Sequence, residues 1–285
     1  MKAVAFAYEQ ATALPAACAA LAPMAAGDGV KIMGGSQSLG PMLNLRLTRP
    51  SKVLDVSSLP ELRGMSVIDG RVRIGAAVTH AEIEDGVHPE LRGSLFQSVA
   101  RGIAYRAIRN RGTLGGSLAH ADPAADWVVV CSAVGARIEL MSSAGQRTVS
   151  MDDFMLGAYT TALQDGELIV AVSVPRESAS TRWAYQKACR KTGEFAEASC
   201  AAWFDPAQRA GRIVLGALDG APCVLKALTL AFASEGGASL ASGGFDERIA
   251  TAVASAAPSH DEVDRTLMRA VVRRSLLQLV AEPAP

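Results

Sequence analysis

The sequence predicts an α+β protein with two domains, and three observations support this prediction. The chain has 285 residues, which is enough for about two domains that each bury a hydrophobic core. Strand and helix patterns are interspersed up to residue 174, whereas three strands and then three helices follow. The intervening segment, 176–181, is polar and aperiodic, so we predict domains of 1–176 and 177–285.

The first part of the N-terminal domain, about 1–57, has the pattern of a small α/β unit. Its apolar runs predict strands at 4–8, 30–33 and 53–56 and helices at 14–26 and 39–47. Pro41 then lies in the first turn of the second helix, where a missing N–H group is tolerated.

The second part, about 58–176, combines strands with helices that carry start signals. Thr79 and Glu82 have the spacing of a capping box, and Asp122-Pro123 has the pattern of a helix start with Asp as the cap. The apolar patterns predict strands at 71–76, 136–141, 146–150 and 167–174 and helices at 91–104 and 122–134. The strands at 136–141 and 146–150 are expected to form a hairpin.

The C-terminal domain is expected to be a three-stranded antiparallel sheet covered by helices. The predicted strands are 183–189, 198–204 and 212–218, and the predicted helices are 223–233, 245–256 and 261–282. Consecutive strands followed by consecutive helices are typical of such α+β domains.

The composition argues against several classes of function. The 28 basic and 28 acidic residues cancel, so no net field attracts nucleic acid or an anionic membrane. The longest apolar run, 127–136, is much shorter than the roughly 20 residues that span a bilayer. Neither the five cysteines nor the four histidines have metal-ligand spacing, so we predict reduced thiols, a cytoplasmic location and no intrinsic iron–sulfur or zinc site.

Two glycine-rich segments stand out in the N-terminal domain. The first segment is Gly34-Gly35-Ser36-Gln37-Ser38-Leu39, and the second is Gly112-Thr113-Leu114-Gly115-Gly116-Ser117. Glycine turns expose backbone N–H groups, so two such turns suit the pyrophosphate of a dinucleotide, although each one alone is more often an ordinary turn. Neither segment has the lysine of the phosphate-binding loop of nucleoside triphosphatases or the glycine spacing of a Rossmann fingerprint.

Charged residues near the second segment allow two interpretations. His120, Asp122 and Asp126 could contact ribose and phosphate groups, but capping explains Asp122 and a hydrogen-bonded core position explains His120. The three arginines within 106–111 could offset phosphate charge, dock an acidic partner or form a solvated basic face.

Four motifs resemble those of the FAD-binding subunits of molybdenum hydroxylases, a family that includes carbon monoxide dehydrogenase medium subunits and the flavin domain of xanthine dehydrogenase. They lie at 33–41 with 44–47, at 109–126, at 166–169 with 174–175, and at 185–187 with 193–196. The resemblance implies a two-part FAD-binding domain of the vanillyl-alcohol oxidase or PCMH type, followed by a C-terminal domain of a three-stranded antiparallel sheet and a helical bundle that closes over the flavin.

The resemblance also implies which residues bind FAD. The segment from Gly34 to Leu39 would hold the pyrophosphate with Thr113 and Ser117, and His120 would lie near the phosphates. Asp122 and Asp126 would lie near the ribose or ribityl chain. Leu168 or Ile169 and Phe195 would cover opposite faces of the isoalloxazine, and Lys187 would approach its N1 and C2 carbonyl edge. The complete implied set is Ile32, Met33, Gly34, Gly35, Ser36, Gln37, Ser38, Leu39, Thr113, Gly115, Gly116, Ser117, His120, Asp122, Asp126, Leu168, Ile169, Lys187 and Phe195.

Family members of this length work as one of three subunits, so the resemblance implies partners. A large subunit would carry the molybdopterin, a small subunit would carry two [2Fe-2S] clusters, and FAD would pass electrons to an external acceptor, with a dimer of heterotrimers as the assembly. Two alternatives remain at this point: a flavin-free scaffold subunit of the same complex, and a stand-alone flavoprotein oxidase. The substrate is selected on another subunit and is not encoded in this chain.

Overall fold

The computed structural model describes residues 2–21, 29–235 and 244–281 of the chain. The predicted helix tail at 22–26 and the predicted helix end at Glu282 lie outside these residues. Three larger sheets organise the described residues, and helices lie between and over them, which confirms the predicted mixture of α and β structure. No helix in the described ranges is both long and apolar enough to cross a membrane.

The N-terminal sheet is parallel and positions the first glycine segment. Its strands have the order β1-β3-β2, and the unit comprises β1 (Ala7–Gln10), α1 (Leu14–Leu21), β2 (Val30–Met33), α2 (Leu39–Asn44) and β3 (Lys52–Asp55). Helix α1 buries Leu14, Ala17, Cys18 and Leu21, the spacing of one helix face. The first segment follows directly after β2, at the carboxyl edge of the sheet, where α/β proteins commonly bind ligands.

The middle of the chain forms a five-stranded antiparallel sheet of order β4-β5-β10-β6-β7. The strands of this region are β4 (Met65–Ile68), β5 (Arg71–Gly75), β6 (Arg137–Ser142), β7 (Gly145–Ser150), the short pair β8 (Met155–Gly157) and β9 (Thr160–Thr161), and β10 (Leu168–Pro175). The predicted hairpin is confirmed as β6-β7, with Ser142 paired to Gly145. The largely exposed strand β4 was not predicted from the sequence.

Short helices cover this sheet, and one of them joins it to the rest of the molecule. They are α3 (His80–Glu84), α4 (Leu95–Ala100), α5 (Arg106–Arg109), α6 (Leu114–His120), α7 (Asp126–Ala133) and α8 (Met151–Phe154), with 3-10 helices at Pro60–Leu62 and Pro89–Leu91. Every residue of α7 is buried. Trp127 of this helix stacks on Phe96 at 5.3 Å between ring centroids, and the same core includes Ala201 and Val214 of the C-terminal sheet.

The C-terminal sheet has four strands rather than the three that we predicted. It has the order β11-β12-β13-β14 and contains β11 (Arg182–Ala188), β12 (Ala198–Asp205), β13 (Ala210–Gly216) and β14 (Cys223–Val224), followed by helices α9 (Lys226–Glu235), α10 (Gly244–Ala256) and α11 (Glu262–Ala281). Cys223 and Val224 pair with Leu215 and Val214, so the predicted helix at 223–233 begins only at Lys226. Tertiary pairing therefore overrides the helical pattern at its first residues.

Two further elements have boundaries that differ from the predictions. Strand β1 begins at Ala7 rather than at residue 4, and its side chains are exposed, so no apolar periodicity marks its ends. The predicted helix 91–104 is reduced to α4, because Gly93 adopts a left-handed conformation and Ser94 caps a new start by accepting from the Gln97 N–H at 3.4 Å.

The second glycine segment and the Asp122 helix start were also predicted incorrectly. Gly115 and Gly116 do not form an open turn but lie in the first turn of α6, which Thr113 caps. Asp122 does not cap α7: its Oδ1 accepts from the Ala124 N–H at 2.9 Å and forms a turn that delays the helix until Asp126. In both places a local side-chain bond shifts the helix start by a few residues.

Candidate functional site

A cleft of about 930 Å³ lies between the two glycine segments, the start of β10 and the loop at 190–197. All the predicted site residues line it except Met33 and Lys187. The predicted residues that line it are Ile32, Gly34, Gly35, Ser36, Gln37, Ser38, Leu39, Thr113, Gly115, Gly116, Ser117, His120, Asp122, Asp126, Leu168, Ile169 and Phe195. Elements from distant parts of the chain therefore converge on one concave site.

The first glycine segment presents free backbone donors to this cleft. Among the described residues, none accepts a hydrogen bond from the backbone N–H groups of 34–38. Ser36 has φ of 64°, a left-handed conformation that is uncommon for a residue other than glycine. Successive N–H groups around such a residue form an anion-binding concavity.

The two glycine segments contact each other directly. A side chain at Gly35 would overlap the carbonyl group of Arg111, and its Cβ would lie 2.8 Å from the Cα of Gly112. A Cβ at Gly34 would lie 3.0 Å from Oγ1 of Thr113. The absence of side chains at these positions lets the first segment pack against the second without a gap.

The second segment offers hydroxyl groups rather than backbone donors. The N–H of Leu114 donates to the Val78 carbonyl at 3.1 Å, and the N–H of Gly115 donates to the Ala76 carbonyl at 2.9 Å. The N–H of Gly116 donates to Oγ1 of Thr113 at 3.1 Å. The glycine N–H groups of the second segment are therefore paired within the chain, whereas those of Gly34 and Gly35 have no acceptor among the described residues.

His80 lines the cleft, although it is not among the predicted site residues. Its side chain is buried, and Nδ1 accepts a hydrogen bond from the Trp127 indole at 3.0 Å. Burial, with a smaller effect of the Arg109 guanidinium, lowers the pKa of His80 to about 4. The capping box marked the helix start at His80, but its partner Trp127 is distant in the sequence and no local pattern joins the two.

His120 and Asp122 lie near each other through Tyr159. The rings of His120 and Tyr159 are 5.2 Å apart between centroids, and the Tyr159 hydroxyl donates to Oδ2 of Asp122 at 3.4 Å. The Asp122 carboxylate is the main cause of a raised Tyr159 pKa. His120 is half-buried at the cleft and is not a core histidine.

Asp126 and Lys187 form an ion pair beside the cleft. Lys187 Nζ lies 2.9 Å from Oδ1 of Asp126, and both side chains are at most one-tenth exposed. The Tyr185 hydroxyl donates to the same oxygen at 2.7 Å, and Lys187 also donates to the Gly102 carbonyl at 3.1 Å. The lysine side chain is thus directed to Asp126 and Gly102, and only Asp126 of this pair reaches the cleft.

Apolar side chains line another part of the cleft. Leu168 and Ile169 are buried at the start of β10, where a β-bulge follows Ile169. Phe195 is 64% exposed in the loop at 190–197. Gly193 brings this loop close to the middle of the chain, because a Cβ there would lie 2.7 Å from the Ala104 carbonyl oxygen.

The arginines near the second segment are mostly committed to structural ion pairs. Arg109 is largely buried and bonds Glu84 through two nitrogens at 2.7 and 3.0 Å. Arg106 bonds Glu84 and Asp85. These pairs attach α5 to α3, so both of these arginines are engaged by acidic side chains of their own chain rather than forming a free basic face.

Comparison with known proteins identifies the family. Residues 4–177 match the family described as the FAD binding domain in molybdopterin dehydrogenase. The carbon monoxide dehydrogenase medium chain of Hydrogenophaga pseudoflava is 39% identical over 175 residues, which span 61% of this chain and 61% of the relative. The nicotine 6-hydroxylase medium subunit of Paenarthrobacter nicotinovorans is 36% identical over 70% of this chain and 69% of its own length.

Solved structures extend the likeness to the whole chain. Carbon monoxide dehydrogenase from Hydrogenophaga pseudoflava, in a form that lacks the Mo-pyranopterin moiety, matches with a TM-score of 0.86 and 31% identity over 100% of both chains. Quinoline 2-oxidoreductase from Pseudomonas putida 86 matches with a TM-score of 0.81 and 31% identity over 98% of both chains. The chain therefore belongs to the family of FAD-binding domains in molybdopterin dehydrogenases and is an oxidoreductase subunit of the molybdenum hydroxylase type.

Proposed function

We propose that this chain is the electron-transfer subunit of a heterotrimeric molybdenum hydroxylase and that its cleft holds FAD. The observation that carries the proposal is the run of backbone N–H groups at 34–38, which line the cleft and have no acceptor among the described residues. Unpaired backbone donors are rare in folded proteins unless a ligand or water satisfies them. Their left-handed arrangement at Ser36 suits the two phosphates of a dinucleotide.

The polar residues around this segment fit the rest of a dinucleotide. The Thr113 hydroxyl lies beside Gly34, and Ser117 and His120 also line the cleft. The two hydroxyls would supply side-chain donors to the phosphates. Asp126 uses Oδ1 for Lys187 and Tyr185, so its Oδ2 is available to accept from a ribityl or ribose hydroxyl. Asp122, which is held by the Ala124 N–H, would accept from the same part of the ligand.

The apolar wall fits a planar ring system. Leu168 or Ile169 would cover one face of the isoalloxazine, and Phe195 would cover the other. Lys187 would act through its ion pair with Asp126, which fixes the carboxylate at the cleft. Met33 would act as a supporting residue, since its carbonyl accepts from the Val56 N–H at 2.9 Å and holds the end of β2.

FAD accepts electrons singly or in pairs and passes them on, which is the chemistry that an electron-transfer subunit requires. The chain supplies the binding donors and the orienting apolar walls. We further propose that the electrons arrive from [2Fe-2S] clusters on a small subunit and originate at the molybdopterin of a large subunit. An external acceptor would receive them, in a cytoplasmic dimer of heterotrimers. The medium-chain and medium-subunit names of the relatives support such a division of labour.

We place the choice of substrate on the large subunit. Relatives named for carbon monoxide, nicotine and caffeine are 39%, 36% and 35% identical to this chain. Nearly equal identity to relatives with such different substrates supports the view that this subunit serves a common electron-transfer step.

Titration of the purified chain with FAD tests the binding proposal. We expect one FAD per chain, flavin absorbance that bleaches with dithionite, and much weaker binding of FMN, which lacks the adenylate half and the pyrophosphate. A chain that stays colourless after incubation with FAD would overturn the proposal.

The electron-transfer proposal requires the complete complex. The chain would be co-expressed with the products of neighbouring genes and purified through a tag on this subunit. Reduction of the flavin by the substrate of the complex should occur only when the iron–sulfur subunit is present. Equal rates of flavin reduction without that subunit would instead indicate a stand-alone oxidase.

A further inference from the structure

His80 is held in one orientation by contacts that are all internal to the protein. It is the first residue of α3, and the capping box of Thr79 and Glu82 fixes this helix start. The backbone N–H of His80 donates to the Gly112 carbonyl at 2.9 Å. Its ring lies 5.9 Å from that of Trp127, which is itself buried and stacked on Phe96.

These contacts leave Nε2 as the imidazole nitrogen that can bond a ligand. Nδ1 accepts from the Trp127 indole N–H, so the neutral imidazole carries its proton on Nε2. Within the described ranges, Nε2 has no hydrogen-bond partner. Nε2 is not sealed in the core either. It is not one of the fully buried polar atoms that lack a partner in the described residues, and His80 lines the cleft.

The position of Nε2 relates it to both glycine segments. A Cβ at Gly112 would lie 2.8 Å from Nε2, so the imidazole packs edge-on against the start of the second segment. A Cβ at Gly35 would lie 2.8 Å from the Cα of the same glycine, so the first segment packs against it as well. Nε2–H is therefore a donor at the junction of the two segments.

We propose that His80 is a cofactor-binding residue that donates an uncharged hydrogen bond from Nε2–H to an oxygen of the bound dinucleotide. The inference rests on the proposed FAD function of the cleft and adds a donor that the four sequence motifs do not contain. Because the lowered pKa keeps the ring neutral in the physiological range, this donor contributes direction rather than charge. Trp127 would act as a positioning residue, since it selects the tautomer.

Two substitutions separate a binding role from a structural one. In His80→Asn the amide oxygen takes the place of Nδ1 and still accepts from Trp127, but nothing reaches the position of Nε2. In His80→Gln the amide nitrogen reaches the position of Nε2 and preserves the donor. We expect the dissociation constant of FAD, measured by quenching of flavin fluorescence, to rise about tenfold in the Asn variant and to stay within about threefold in the Gln variant.

A purely structural role predicts the opposite order, because only the Asn variant preserves the bond to Trp127. Wild-type affinity in the Asn variant, or weaker binding in the Gln variant than in the Asn variant, would overturn the inference. Nitrogen NMR of the wild-type chain provides a test that does not depend on the folding of a variant. The Nε2 resonance should report a protonated nitrogen and should move on addition of FAD, whereas an unchanged resonance in a chain that binds FAD would also overturn it.

The same titrations distinguish this inference from the proposed function. If the wild-type chain binds no FAD, the proposed function itself fails. If the wild-type chain binds FAD and the Asn variant binds it equally well, only the role of His80 fails.

Discussion

Gly35 packs against the backbone of Arg111 so closely that a side chain at Gly35 would overlap the Arg111 carbonyl group. This contact joins the two glycine segments, which are far apart in the sequence: the first follows β2, and the second forms the start of α6. The N–H groups of the first segment and the hydroxyls of the second are therefore held at a fixed separation by packing within the chain.

We predict that Gly35→Ala weakens FAD binding and destabilises the fold. The added methyl group meets backbone atoms, which cannot rotate away as a side chain would, so the two segments must separate. Overpacking of this type costs about 1–3 kcal/mol, and we expect the FAD dissociation constant to rise more than tenfold. Urea denaturation and FAD titration measure the two effects.

Gly64→Ala is the matched control, because a Cβ at Gly64 meets no atom within 4 Å. It should leave both stability and FAD affinity unchanged. Wild-type affinity in Gly35→Ala would show that the close approach of the two segments has no part in binding.

Local patterns predicted much of the fold, and the family resemblance predicted 17 of the residues that line the cleft. The capping box of Thr79 and Glu82 is present as predicted, because all its bonds form within one helical turn. The first glycine segment could be located since it directly follows an apolar strand. Such features depend only on near neighbours in the sequence.

Features that depend on distant partners were missed. A Cβ at Gly115 would lie 2.5 Å from the Cβ of Ala76, which directly follows β5, so this position of α6 requires glycine. Lys187 is directed to Asp126, and the orientation of His80 depends on Trp127. No periodicity or spacing encodes these contacts, which arise only when α7 is buried between the two larger sheets.

We predict that Thr113→Val loses both stability and FAD affinity. The Thr113 hydroxyl accepts from the Gly116 N–H, and its removal leaves this helix-start donor without a partner. The loss of an N-cap costs about 1 kcal/mol. The same change removes a hydroxyl from the cleft, so FAD should bind several-fold more weakly, as measured by fluorescence quenching.

Thr113→Ser retains the hydroxyl and serves as the control for this prediction. It should keep near wild-type affinity and most of the stability. If the Val and Ser variants bind FAD equally well, the hydroxyl does not contact the cofactor.

We predict strong energetic coupling between Asp126 and Lys187. Removal of either charge leaves the other one buried without its partner, which costs about 3–5 kcal/mol in comparable buried pairs. Asp126→Asn and Lys187→Met should therefore each destabilise the chain, whereas the double variant should be much less unstable than the sum. A double-mutant cycle in urea measures the coupling, for which we expect about 1–3 kcal/mol.

The surface pair Lys52 and Glu9 provides a control cycle at similar distance. Its atoms are 2.7 Å apart, but its side chains are 35% and 50% exposed, so water and salt screen the interaction. Its coupling should stay below about 1 kcal/mol. A buried pair that couples no more strongly than this exposed pair would contradict the prediction.

We predict that the free energy of unfolding falls as the pH is lowered from about 6.5 to about 4, because of His80. Its pKa is lowered from 6.5 to about 4 in the folded chain, so between these values only the unfolded chain binds the proton. The folded state loses on the order of 3 kcal/mol across this window, and above it His80 contributes no pH dependence.

Urea denaturation of the wild type and of His80→Gln over this pH range measures the effect. The Gln variant has no imidazole to protonate, so the difference between the two curves isolates His80 from other titrating groups. One such group is Glu177, whose pKa burial raises and which therefore contributes with the opposite sign. The difference curve should be flat above pH 6.5 and should decline below it. Parallel curves across the whole range would mean that the His80 ring titrates normally in the folded chain and is open to water.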